Sequence, residues 1–73
     1  MIKKYFQLGK KHIVIVQFII EGYERMANVT TMDSSKAVIR ISIMPDYISE
    51  IGVLLEYLKH KYAMKEIFDY KGQ

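Results

Sequence analysis

Apolar and polar residues alternate along Lys3 to Leu8 (KKYFQL), with Lys4, Phe6 and Leu8 on one face and Lys3, Tyr5 and Gln7 on the other. This period of two predicts a strand, which Gly9 ends. The run Ile13 to Ile20 that follows is rich in β-branched side chains, which locally favour extended backbone. As a strand it would be apolar on both faces and would need a covering layer on each side, more than so short a chain can supply. As a helix it gathers Lys10, Gln17, Glu21 and Glu24 into one polar stripe, at spacings of seven, four and three. The pattern therefore predicts a helix over Lys11 to Gly22, with Gly22 as a left-handed C-terminal cap.

Ala27 to Asp33 (ANVTTMD) alternates again, Ala27, Val29 and Thr31 against Asn28, Thr30 and Met32. Asp33-Ser34-Ser35-Lys36 reads as a turn into Ala37 to Met44, where Ala37, Ile39, Ile41 and Ile43 form an apolar wall opposite Val38, Arg40, Ser42 and Met44. Pro45 stops that strand, and Asp46 is placed to cap a helix through its carboxylate. Ile48, Ile51, Leu55, Leu58 and Tyr62 recur every three or four residues, so the helix should reach Tyr62. A last short strand is expected over Lys65 to Tyr70.

Strand, helix, strand, strand, helix, strand, joined by right-handed crossovers, gives an α+β fold: a ferredoxin-like βαββαβ sandwich. We expect a four-stranded antiparallel sheet in the order 4-1-3-2, two helices on one face, and a single domain over residues 1–73. A chain of 73 residues buries only roughly 60% of its unfolded surface, so the core is marginal. With no cysteine for a disulfide and two histidines without thiols, a second copy of the chain is the expected supplement, and no cofactor is implied.

Eleven basic and eight acidic residues leave a net charge of +3, with Lys3, Lys4, Lys10 and Lys11 early and mixed charge from Glu21 onward. That is too mild and too scattered for a phosphate-backbone binder, so nucleic acid is not the expected partner. The opening MIKKYFQLGKKHIVIVQFII imitates a signal peptide, but its eight-residue apolar run is interrupted by Gln17 and no small-residue cleavage site follows. A membrane span would need about 20 apolar residues. A cytoplasmic, cysteine-free protein with no membrane partner is expected, and the Ile, Lys, Tyr and Met content suits an AT-rich bacterial genome.

The segment FIIEGYERMANVTT, through Phe18, Glu21, Gly22, Tyr23, Glu24, Ala27 and the threonines, resembles a small uncharacterised bacterial domain-of-unknown-function family. In that family a helix ends in a Glu-Gly-Tyr pattern and enters a strand; Arg25 stands here where the family often has a further glycine. The resemblance implies a fold and carries no activity. More distantly, the topology is similar to the ACT family of amino-acid-sensing modules, which implies a dimer with an effector near the loop after the first strand. Gly9 stands at that loop's glycine, although the chain has Leu8-Gly9-Lys10-Lys11 in place of the family's Asp-x-Pro-Gly.

Two clusters are candidate ligand-binding sites. Gly9, Lys10, Lys11 and His12 precede a helix start, where free N–H groups beside lysines can hold an anion; the plainer account is a tight turn with solvated lysines. Glu21, Tyr23 and Glu24 lie at the C-terminal end of the same helix, where the carboxylates oppose the helix dipole. An acidic catalytic or metal site there would need a second converging polar cluster, and the sequence supplies none; a solvated face, or a salt bridge to Arg25, is the plainer account. His60 has no partner in register, and Ser34, Ser35, Ser42 and Ser49 lack a glycine elbow or a nearby histidine, so no hydrolase triad or metal set is formed.

The expected function is a non-catalytic, homodimeric module for small-molecule sensing, including an anionic effector, or for protein interaction. Two alternatives come from other classes. One is an RNA-binding module using the open sheet face of Lys3, Tyr5, Gln7, Asn28, Thr30, Arg40 and Ser42, where RNA-recognition modules carry two or more aromatics and Tyr5 stands alone. The other is a small enzyme using Glu21 or Glu24.

Overall fold

In the computed structural model, which describes residues 1–71, the chain forms strand β1 (Ile2–Gln7), helix α1 (Lys10–Glu21), strands β2 (Ala27–Asp33) and β3 (Val38–Ile43), helix α2 (Ile48–Tyr62) and strand β4 (Lys65–Ile67). The sheet order is β2-β3-β1-β4, and every neighbouring pair is antiparallel. This is the ferredoxin-like sandwich. The central pair is set by the register Phe6 opposite Ile39, Lys4 opposite Ile41 and Ile2 opposite Ile43, which puts the isoleucine wall beside the apolar face of β1.

Both helices cover that face. Val16 and Ile20 of α1 and Ile51, Leu55 and Leu58 of α2 pack with Phe6, Ile39, Ile41 and Ile43 into one core. The helix assignment of the β-branched run is thus decided by burial: α1 packs one stripe and keeps a polar edge, from which Gln17 Nε2 reaches Thr31 Oγ1 on β2 at 3.3 Å. Lys4 shares the core-side face of β1, where Glu66 accepts from its Nζ at 3.4 Å and also lies 3.8 Å from Lys59 Nζ on α2. Glu66 is only 14% exposed, so two lysines screen a carboxylate tucked between β4 and α2.

Four local expectations are corrected. Gly22 is right-handed, at φ −66° and ψ −12°, because the chain continues past α1 as further turns, Tyr23 N–H bonding to Ile20 O and Met26 N–H to Tyr23 O. The left-handed cap belongs to α2, where Ala63 sits at φ 52° and the Met64 N–H returns to Lys59 O at 3.2 Å, a Schellman-type ending with Met64 buried behind it. Asp46 caps nothing: it lies inside a one-turn 3₁₀ segment, Pro45–Tyr47, and α2 starts after Tyr47 without a side-chain cap. Ala37 is left-handed, at φ 57°, and belongs to the turn before β3, while β4 stops at Ile67 because Phe68 and Asp69 turn the chain.

Candidate functional site

The two clusters singled out in the sequence occupy opposite ends of α1, roughly 18 Å apart along a helix of this length. At the first end, Gly9 has extended backbone (φ −63°, ψ 137°), a geometry open to any residue, and an added Cβ would make only ordinary contact with His12. Lys10 and Lys11 are exposed, and the His12 ring packs against Tyr62 of α2, with centroids 5.2 Å apart. At the second end, Gly22, Tyr23, Glu24, Arg25 and Met26 line an open depression of about 260 Å³. Its walls are one turn of chain, closed by Met26 N–H and Ala27 N–H on the Tyr23 carbonyl at 2.7 and 2.9 Å. Glu21 and Glu24 are exposed, and neither is hydrogen-bonded to another described side chain.

Helix α1 therefore carries basic residues in its first turn and acidic ones at its end, the reverse of α2, which has Glu50 early and Lys59, His60 and Lys61 late. Each such charge costs a few tenths of a kcal/mol against the dipole, so α1 is held by burial and not by its own termini. Among the described residues, no three His, Asp or Glu side chains converge as a metal set.

Two larger surfaces carry more. On the outer side of the helix layer, Val14 (73% exposed), Phe18 (71%) and Val53 (74%) project with Ile15 and Tyr57. Helical spacing sets Val14 and Phe18, and likewise Val53 and Tyr57, one turn apart on the sides turned away from the core residues.

On the open sheet face, the register aligns Thr30, Arg40, Tyr5 and Ile67 across all four strands, flanked by Asn28, Ser42 and Lys3 on one side and by Val38, Gln7 and Lys65 on the other. The turn after β4 brings Tyr70 back over this face, stacked on Tyr5 with centroids 5.0 Å apart and rings inclined by 29°. Reading Lys65 to Tyr70 as one strand hid this pair; Asp69, a turn former, was the available signal. The Arg40 guanidinium has no hydrogen bond or ion pair among the described residues, and its Nε is buried without a partner.

Residues 6–61 match DUF4911, a domain of unknown function. The chain belongs to that family. The DUF4911 span runs from β1 through nearly all of α2, so it takes in the Glu-Gly-Tyr-Glu turn and both helices, while Tyr5 and Tyr70 lie outside it. No curated protein and no solved structure matches the chain.

Proposed function

We propose that this DUF4911 domain is a non-catalytic protein-interaction module of the bacterial cytoplasm that works as a homodimer, joined through the outer face of its helices. The observation that carries this reading is the band of Val14, Ile15, Phe18, Val53 and Tyr57. Val14 and Phe18 sit one turn apart on α1, and Val53 and Tyr57 one turn apart on α2, and large apolar side chains exposed together on one side of a layer mark interfaces. The molecule measures 31 × 24 × 17 Å, so one broad face is on the scale of the ~800 Å² per partner that a stable interface takes. Sensing of a small effector has narrower support, the open depression at Gly22–Met26, because the lysines and the carboxylates of α1 do not converge.

Light scattering on chromatographed protein tests the assembly. At micromolar concentration we expect twice the 8.6 kDa chain mass, and the single-chain mass for Phe18→Glu, which places a charge in the band without touching the core. A wild-type protein that elutes as a monomer overturns the reading.

A further inference from the structure

The open sheet face holds three cations at strand positions, Lys3, Arg40 and Lys65, and the register brings one carboxylate to its rim, Asp33. Asp33 is spoken for: it accepts from Ser35 Oγ at 2.8 Å and from the Lys36 N–H at 3.0 Å, folding it into the turn. Asp33 keeps its charge, and Asp69 sits in the turn that delivers Tyr70, so the three cations leave this face mildly positive, as the chain is.

At its centre Arg40 lies directly opposite Tyr5 on β1 and Thr30 on β2, half-buried and without a partner among the described residues. A partly desolvated guanidinium without an acceptor is costly, and its planar fork suits a phosphate. Beside it, the Tyr5 ring already carries a stacked partner, Tyr70, in the offset near-parallel arrangement that a base adopts on an aromatic platform. Buried Val38 and Ser42 make the floor between these groups firm.

We propose that this face binds single-stranded RNA, with one base stacking on the Tyr5–Tyr70 platform and the backbone phosphates meeting Arg40, Lys3 and Lys65. Among the strand residues of this face Tyr5 is the single aromatic, which made RNA binding the alternative reading; the second ring arrives from beyond β4. Single strands suit the site better than a duplex, since a ring platform needs an unstacked base. The face is opposite the helix band, so a dimer joined through its helices presents two such platforms outward, and the binding does not depend on the dimer.

Fluorescence anisotropy of the full chain with labelled 12-nucleotide strands decides the matter. Single-stranded RNA is expected to bind at micromolar Kd in 50 mM salt. Three phosphate contacts on a single strand predict a weakening of roughly 15- to 20-fold at 200 mM. Arg40→Gln and Tyr5→Leu should each weaken binding about tenfold, while Lys10→Gln, at the far end of α1, should leave it unchanged. Lys3→Gln should flatten the salt dependence, a readout that a loss of folding would not give. Circular dichroism melts confirm that each variant is folded. No binding to single-stranded RNA, equal binding by Arg40→Gln and Tyr5→Leu, or preference for duplex RNA or for single-stranded DNA would each overturn the proposal.

Discussion

At Ala63 the chain takes a left-handed turn with a residue that has a Cβ, and at Gly22 it takes an ordinary helical turn with one that has none. The two are the reverse of what the glycine rule suggests, and each carries a prediction. A non-glycine in the left-handed region costs roughly 1–2 kcal/mol, and relieving it is offset in part by the extra freedom glycine has when unfolded. Ala63→Gly should therefore stabilise the protein by about 0.5–1 kcal/mol, read as a higher urea midpoint with an unchanged slope. Gly22→Ala should change stability by less than about 0.5 kcal/mol, since φ is negative and the new Cβ would sit 3.3 Å from the Ile19 carbonyl, a mild crowding set against better helix propensity. Gly22→Asn should show no advantage over Gly22→Ala in the same titration; a clear advantage would restore a left-handed state at this position. Sequence could not make this distinction. The frequency of glycine at helix ends is a property of many chains, whereas the conformation here is fixed by where Tyr23 N–H and Met26 N–H find their acceptors.

Elements were legible where one face is buried against another and obscure where they end. The Ile39, Ile41 and Ile43 wall announced β3 by alternation, and all three side chains are fully buried. Ile41→Asp should accordingly abolish the cooperative melting transition, because a carboxylate would enter the core with no partner at a cost of several kcal/mol; a normal melt would mean that Ile41 does not face the helices. The helical reading of α1 also survived a strand-like composition, because it rested on the count of layers. What failed was local: β4 gave way to a turn after three residues, and Asp46 went into a 3₁₀ turn instead of capping α2. Short segments at a chain end have little burial to fix their length. The β2–β3 turn is better specified, and it has a pH signature. Hydrogen bonds from the Ser35 hydroxyl and then from the Lys36 N–H hold the Asp33 carboxyl below its usual range. The group's folded value is the lower one, so its contribution is complete above the unfolded value of about 3.9 and is lost as pH falls through the folded value. Wild type should melt above Asp33→Ala at pH 7, and the two should converge near pH 2; a gap that persists in acid would mean the difference is not carried by the ionised carboxylate.

At the scale of the whole molecule, the quantity of surface is ordinary and its composition is not. The exposed area of 4943 Å² is close to the ~4,700 Å² expected for a monomer of this mass, so the fold closes on itself. Yet Val14, Phe18 and Val53 are each more than two-thirds exposed, on the two helices that the sheet covers from one side only. A second copy could be joined in two ways, by pairing of sheet edges or by burial of helix faces. The structure weighs against the first. One edge is β4, with three residues, and the other is β2, whose register shifts between Thr31 and Asp33, and short or bulged edges are poor templates for pairing. In the proposed dimer, burial through the helices leaves the sheet face free and would tie folding to association. Melting should then depend on protein concentration: for a dimer of two 73-residue chains unfolding in one step, the midpoint should rise by about 3–5 °C per tenfold increase. Phe18→Glu should remove that dependence while leaving the far-ultraviolet spectrum intact, because Phe18 adds nothing to the core of its own chain. Scanning calorimetry over two decades of concentration reads both. A midpoint that stays flat for the wild type would mean that the helix band is covered by something other than a second copy.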